Sequence, residues 1–297
     1  MAYSAWSETC DTLHAHTQVL GKIAAALAPP EPQLQHTALR LTARGWETRL
    51  LPAADGSGGV VVALDLHAHE AVVEHTDGRV ERLPLTPDRP VGEVTRGVVA
   101  AARGLAGAFE FDPTPQEVPW TVALDEDAEH DRYDPEQVAA YLAAATRAAL
   151  VLAAFRAPYR GRSTPVNAWW GSFDLAVDLF SGLPAEPPSA GFITRNSMDT
   201  QLFALGWWPG DHRHERAAFY AYAHPAPEGF PDLELPLGGW NSQLGEYVLD
   251  SDDLRHTGDP HAAALDFGRA LFQHACVVCG WDTGLAASAQ GTPPPIR

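Results

Sequence analysis

Four stretches of the chain repeat apolar residues at helical spacing. The first predicts a helix from Ser7 to Leu27 that ends before Pro29-Pro30. The others predict helices over Val91–Leu105, Asp134–Phe155 and His261–Val278. The third of the four begins with Asp134-Pro135-Glu136-Gln137, a favourable capping sequence. Its nearly continuous Ala and Leu content predicts a central, buried helix.

Between the first two helices the pattern changes to short apolar runs separated by turn residues. These runs predict strands over Thr37–Thr42, Glu47–Leu51, Gly59–Leu66, Ala71–Thr76 and Val80–Leu85. The step Asp77-Gly78 is typical of a tight hairpin, so this region predicts an antiparallel meander. Further strands are predicted over Trp120–Leu124 and at three aromatic-rich blocks, 167–171, 205–210 and 219–222.

The order of these elements favours an α+β fold with antiparallel sheets and long helices packed on them. The Pro-rich segment 112–119 is the best internal boundary. It predicts an N-terminal part, 1–111, and an aromatic-rich α+β part, 112–291, packed against it as one compact unit, with a disordered tail at 292–297. Helix, strands and helix follow each other in both parts, which leaves a pseudo-repeat open, although no residue-level similarity supports one.

The charge of the chain narrows the classes of partner. Its 297 residues carry 20 Lys and Arg against 38 Asp and Glu, a formal net charge of −18. Such a protein is repelled by phosphate backbones and anionic lipids, so we expect no nucleic-acid and no membrane partner. The longest apolar stretch, Ala139–Phe155, is short and is interrupted by Thr146 and Arg147.

The start of the chain lacks the basic and apolar regions of a signal peptide, and three cysteines cannot form an even disulfide framework. We therefore expect a reduced, cytoplasmic protein; a homodimer is left open.

Common cofactor and nucleophile signatures are absent from the sequence, which has no GxGxxG, P-loop, HExxH or GxSxG. We therefore predict neither a nucleotide cofactor nor a metal. Three His-x-His pairs are interpreted as surface histidines, and Cys276 and Cys279 as buried apolar residues on a helix. The acidic run from Asp125 to Glu136 is interpreted as a solvated loop that leads into a helix.

A polar row follows the first helix beside its apolar stripe. His14, Gln18 and Lys22 are spaced four residues apart, so they share a face. Lys22 is the only lysine of the chain, and a buried lysine, unlike an arginine, can lose its proton near neutral pH. His14 and Lys22 are therefore reserve candidates for acid–base or Schiff-base chemistry, and the alternative is a chance lysine neutralised by a carboxylate.

The aromatic blocks predict the walls of a deep apolar pocket with few polar groups. A bulky core is the alternative interpretation. The predicted pocket residues are Asn167, Trp169, Trp170, Gln201, Trp207, Trp208, Tyr220, Tyr222 and Asn241, with Gln18. One of two carboxylates near them, Glu246 or Asp174, is the predicted acid or base.

Several short motifs match a known family in order along most of the chain. They are Thr12-Leu13-His14 with Thr17-Gln18 and Gly21-Lys22; His130 with Tyr133-Asp134-Pro135; Ser163 with Pro165-Val166; Trp170 to Ala176; Trp208-Pro209-Gly210; Phe219 to Ala223; and Leu244-Gly245-Glu246. With these motifs the chain resembles an uncharacterised bacterial family, domain of unknown function 5996. The resemblance implies no established activity.

The chain departs from the family pattern at three places. The pattern has His where this chain has Asn167, a His-Glu pair at Thr200-Gln201, and His at Asn241. Those histidines and Glu246 would make a metal or acid–base site. The resemblance therefore implies that this chain has lost such a site, if the family has one, and that it is either an enzyme without metal or a binder.

These observations predict an enzyme that acts on a small apolar or conjugated molecule without metal or nucleotide. Holding a reactive conformer beside one acid or base suits cyclisation, isomerisation or elimination. The first alternative is a metal-dependent enzyme with His and carboxylate ligands. The second is a non-catalytic small-molecule binding protein.

Overall fold

A computed structural model describes residues 2–188 and 191–289. By their contacts the residues form two compact units. The first unit comprises Tyr3–Ala144 and Asn167–Phe173, and the second comprises Ala145–Val166 and most of the chain from Asp174 onward. Long helices and antiparallel sheets confirm the α+β class. The boundary predicted at 112–119 stays a prediction, and the tail predicted at 292–297 lies outside the described residues.

The first unit is built on an antiparallel sheet. Its elements are α1 (Ser7–Leu27), β1 (Arg40–Thr42), β2 (Gly45–Glu47), β3 (Leu51–Pro52), β4 (Gly59–Asp65), β5 (Glu70–His75), β6 (Val80–Pro84), α2 (Val91–Ala106), most of the N-terminal half of α3 (Pro135–Arg156) and β7 (Asn167–Trp169). The strand order is β1-β2-β4-β5-β6, with β3 also paired to β4.

The predicted meander and first helix are confirmed. The hairpin between β5 and β6 turns at Asp77-Gly78, where Gly78 has a φ of +93°. Helix α1 has the predicted bounds, and it is buried on all sides from Thr9 to Ala24 rather than along one stripe. The single strand predicted over Glu47–Leu51 is wrong: β2 ends at its first residue and β3 begins at its last, and the exposed Leu50 lies between the two strands.

The segment Trp120–Leu124 is not a strand, which corrects another prediction. Instead of joining a ladder, Trp120 packs its ring between two histidines, with centroid distances of 5.1 Å to His14 and 4.5 Å to His130. The Leu124 amide donates to the Pro113 carbonyl. Side-chain packing against α1 therefore decides the path of this segment.

Helix α3 is half exposed, so the prediction of a buried helix is wrong. Its buried residues recur every three or four positions, and Leu150 between them is 61% exposed. Alanine tolerates this exposure because its side chain presents little apolar area.

By length and composition alone, α3 could cross a membrane, and 44% of its most apolar window is buried. This is weak evidence for a span, since core helices pass the same test.

The second unit has its own antiparallel sheet and helices. Its further elements are β8 (Asp174–Pro184), α4 (Phe192–Ser197), β9 (Thr200–Trp208), β10 (Ala218–His224), β11 (Gly239–Asn241), β12 (Glu246–Asp250), α5 (Ser251–Leu254), α6 (Pro260–Val278) and α7 (Thr283–Ser288). The strands follow the order β11-β12-β10-β9-β8. Helix α6 begins one residue before the predicted start, at Pro260, where Asp259 caps it by accepting from the Ala262 amide at 3.0 Å.

One face of the second sheet is the core of this unit. Phe203 of β9 lies 5.4 Å from Phe272 of α6 and 6.0 Å from Phe155 at the end of α3, measured between ring centroids. Gly268 brings α6 close to Leu205 on the same face. Cys276 is also buried here, as predicted, and burial raises the pKa of its thiol to about 12, whereas Cys279 is only half-buried and follows the end of α6.

Candidate active site

The other face of the second sheet carries its polar groups. Side chains alternate between the two faces of a strand, so every second residue shares a face. The pairing sets Ala176, Gly206, Tyr220 and Val248 in one row across β8, β9, β10 and β12. The same parity places on this face Asp174, Asp178, Tyr220, Tyr222 and Glu246. We call these five residues and Trp208 the acidic face.

Tyr220 reaches across β9 to a carboxylate. Its hydroxyl donates a hydrogen bond to Oδ2 of Asp174, which is only 4% exposed. The intervening residue is Gly206, and a Cβ at that position would overlap the Tyr220 ring. Burial and the charge of Asp174 raise the pKa of Tyr220 well above its usual value, so the phenol remains a proton donor at neutral pH.

Two further carboxyls of the acidic face have unusually high pKa values. Burial, and then the negative charge of Asp174, raise the pKa of Glu246 to about 7. The same two causes raise the pKa of Asp178 to about 7. Both side chains are half-buried, so solvent or a ligand can reach them. Near neutral pH each carboxyl therefore exists in both protonation states, as an acid or a base requires.

Aromatic rings line the acidic face. Tyr220 and Tyr222 lie side by side with an interplanar angle of 6° and a centroid distance of 6.2 Å. Trp208 packs edge-on against Tyr220 at 5.4 Å and lies 5.6 Å from the His214 ring. The structure thus brings together five of the predicted site residues: Asp174, Trp208, Tyr220, Tyr222 and Glu246.

Asp250 shares this face, but its carboxylate is already paired with other side chains. Its carboxylate contacts Nε2 of His214 at 2.5 Å and Nη1 of Arg216 at 3.0 Å. Asp211 holds Arg213 in a similar way, with Nη2 to Oδ2 at 2.6 Å. These pairs fix the loop between β9 and β10 beside the acidic face, and two of them occupy Arg213 and Arg216.

Of the other predicted residues of this unit, Trp207 and Gln201 make contacts away from the acidic face, whereas Asn241 is the cross-strand partner of Glu246. Trp207 lies on the core face of β9 and donates from Nε1 to the Ser251 hydroxyl at 3.1 Å. Gln201 accepts from the Ser181 hydroxyl at 3.2 Å. Asn241 accepts from the amides of Gln243 and Leu244, which closes the turn into β12.

The remaining predicted residues belong to the first unit. There the polar row of α1 makes hydrogen bonds to two other segments, at Trp170-Gly171 and at Gln116. His14 Nε2 lies 3.0 Å from the carbonyls of Trp170 and Gly171. The Gln18 amide accepts from the Gln116 amide N–H at 2.8 Å and donates to its carbonyl at 2.9 Å.

Lys22 continues this row and is buried under an acidic partner. Its Nζ is 3.4 Å from Asp112 and 5.7 Å from the centroid of the Trp170 ring. Burial lowers the pKa of Lys22, and Asp112 partly offsets that effect. The geometry fits the interpretation of a lysine neutralised by a carboxylate. Because Asp112 belongs to the Pro-rich segment 112–119, the pair also holds that segment against α1.

Two residues predicted to line a pocket are packed inside the first unit. Asn167 is 1% exposed and donates to Oε1 of Gln35 at 2.9 Å. Trp170 is 4% exposed and lies on Gly21 of α1. Trp169 is half-buried.

Asp127 and His130 form a buried pair that the sequence interpretation missed. Asp127 is 2% exposed and accepts from the Glu129 and His130 amides, while His130 Nδ1 lies 2.7 Å from its Oδ2. The acidic run is therefore not a uniformly solvated loop, since Asp127 folds inward to hold the turn. Burial opposes both charges, but the contact of the pair outweighs it: the pKa of Asp127 is lowered and that of His130 is raised.

Asp127→Asn is expected to destabilise the protein by about 1–3 kcal/mol at pH 5.5, since a buried ion pair loses its charge. Asp127 with its lowered pKa stabilises above about pH 4, and His130 with its raised pKa stabilises fully below about pH 6.5. The difference from wild type should therefore shrink as the pH rises through the raised pKa of His130. Urea denaturation at pH 5.5 and 8.5 measures it, with the exposed neighbour Glu126→Gln as the control. A difference that is equal at both pH values would contradict the ion pair.

Asp178 is the second residue that was missed, although a signal for it exists. It lies four residues after Asp174 in the same strand, and alternation places both on one face.

Among residues 2–188 and 191–289, no group of three or more His, Cys, Asp or Glu is arranged to hold a metal ion.

Comparison with known proteins identifies the family but no activity. The model of a family described as "Family of unknown function (DUF5996)" matches residues 1–288. No curated protein and no solved structure matches the chain. Because the match covers nearly all of the sequence, the chain belongs to the DUF5996 family.

Proposed function

We propose that this protein is an enzyme that moves protons on a small molecule with the carboxyl groups of the acidic face. The observation that carries the proposal is the half-buried Glu246 on the same sheet face as Asp174 and Tyr220, where burial and the charge of Asp174 raise its pKa to about 7. A carboxyl with that pKa accepts and releases protons near neutrality, and general acid–base catalysis typically contributes about 10²–10⁴-fold.

The roles within the acidic face follow from its geometry. Glu246 and Asp178 both have pKa values of about 7, so one can be ionised while the other is protonated. The ionised group would take a proton from the substrate, and the protonated group would return one at another atom. Asp174, held by the Tyr220 hydroxyl, would keep both pKa values high. A transfer of this kind suits isomerisation, cyclisation or elimination.

The first test is a carboxyl titration of the intact protein. Carbon-13 NMR should show Glu246 and Asp178 titrating near pH 7. Asp174→Asn should lower both values, because the neighbouring negative charge is lost, but burial should keep them above the usual range of about 4. Glu228→Gln removes an exposed carboxylate from the same unit and should leave both titrations unchanged.

A titration of Glu246 below pH 5 would overturn the proposal. So would undiminished turnover of a folded Glu246→Gln variant on a substrate found by screening. We expect that variant to lose at least about 100-fold in kcat. The cytoplasmic location and the small-molecule substrate remain parts of this proposal.

A further inference from the structure

The acidic face has a shortage of positive charge. Two arginines beside it are paired with other carboxylates: Asp250 holds Arg216, and Asp211 holds Arg213. For Asp178, burial and Asp174 act in the same direction, and Arg213 only partly relieves Glu246. A positively charged ligand would therefore meet carboxyls that gain from its presence.

The rings on this face suit the same kind of ligand. Tyr220 and Tyr222 are parallel and half-buried, with their hydroxyl-bearing rings among the carboxyls. An organic cation is attracted to aromatic faces, most strongly where water is partly excluded. Carboxylates and aromatic rings together favour an alkylated ammonium group over a small metal cation, which prefers oxygen ligands alone.

The Trp208 indole on the same face is a buried hydrogen-bond donor, and it adds a second property that a ligand should have, an acceptor atom. Trp208 is 8% exposed, and its indole Nε1–H is buried without an acceptor among the described residues. Its ring packs against Tyr220, the residue that bonds Asp174. An unsatisfied buried donor is costly, typically about 1–3 kcal/mol, so an acceptor atom on a ligand would be stabilised there.

We propose that the acidic face binds small organic cations, namely molecules in which a charged alkylammonium nitrogen lies close to a hydroxyl or carbonyl oxygen. The nitrogen would lie among Glu246 and the two tyrosines, and the oxygen would accept from Trp208. This inference names the substrate class of the proposed enzyme and so rests on that proposal.

Choline and 3,3-dimethylbutan-1-ol test the inference, because they have the same shape and hydroxyl but only choline is charged. Each is titrated into the nitrogen-15-labelled full chain, and the indole N–H resonances are followed. The Trp208 signal is the one that disappears in Trp208→Phe. We expect choline to shift this signal and to bind at least about tenfold more tightly than the neutral alcohol.

Variants separate the charge from the shape. Glu246→Gln should weaken choline binding several-fold and leave the alcohol unchanged, whereas the exposed control Glu228→Gln should change neither. Equal binding of the two probes, or choline binding that leaves the Trp208 signal in place, would overturn the inference. So would the failure of choline to bind.

The two proposals fail in different ways. If Glu246 titrates near pH 7 but choline has no advantage, the cation inference falls and the acid–base proposal stands. If choline is selected but Glu246 titrates below pH 5, the face is a cation-binding site without that chemistry.

Discussion

Replacing Gly206 by alanine is expected to lower the free energy of unfolding by about 1–3 kcal/mol, the usual cost of overpacking. The new methyl group would occupy the space of the Tyr220 ring, which crosses β9 at this glycine to reach Asp174. The ring must move, and its hydrogen bond to Asp174 must break. Urea denaturation measures the loss of stability, and carbon-13 NMR of the labelled carboxyl reports the change at Asp174.

The matched control is Gly239→Ala in β11, an edge strand of the same sheet, where a Cβ meets nothing within 4 Å. This variant should be neutral or slightly stabilising. A second check removes the ring instead of the methyl group. In a Tyr220→Leu background, Gly206→Ala should cost clearly less than it does in wild type, since the two residues are coupled by contact. Equal costs in both backgrounds would contradict the packing explanation.

The second large effect is expected at Gly21 in α1. The Trp170 indole lies directly on this glycine, and a Cβ would overlap the ring. Gly21→Ala should therefore destabilise the protein by about 1–3 kcal/mol, even though alanine favours a helix more than glycine does. Thermal or urea unfolding of the purified variant measures the change.

Gly104→Ala, in the same unit, is the matched control, and it is expected to raise stability rather than lower it. Gly104 is exposed in α2, and a methyl group added there would meet nothing within 4 Å, so the substitution should stabilise by about 0.5–1 kcal/mol. If Gly21→Ala stabilised the protein as Gly104→Ala does, helix propensity rather than the Trp170 contact would decide the outcome at Gly21.

Local patterns predicted much of the secondary structure because the relevant forces are local. The bounds of α1, the cap at Asp134 and the hairpin at Asp77-Gly78 depend on neighbouring residues. The prediction failed at Trp120–Leu124, where the side chain of Trp120 finds its partners on α1 and at His130. Partners so distant in sequence cannot be inferred from apolar spacing.

In the candidate site too, some features follow from the local sequence and others depend on strands distant in sequence. Asp174 and Glu246 could be named from the sequence, but their relation to Tyr220 depends on the register of β8, β9 and β10. Trp207 and Trp208 are adjacent, so a strand must turn them to opposite faces, and only the register shows that Trp208 lies with the carboxyls. Gly206 carried no signal until the ring above it was located.

The burial of Lys22 has a practical consequence. It is the only lysine of the chain and is 6% exposed, so amine-selective reagents find no exposed lysine side chain in the folded protein. Acylation of Lys22 then requires the first unit to open around α1 and Asp112. The rate of that reaction, read by mass spectrometry, gives a built-in measure of local opening without an introduced probe.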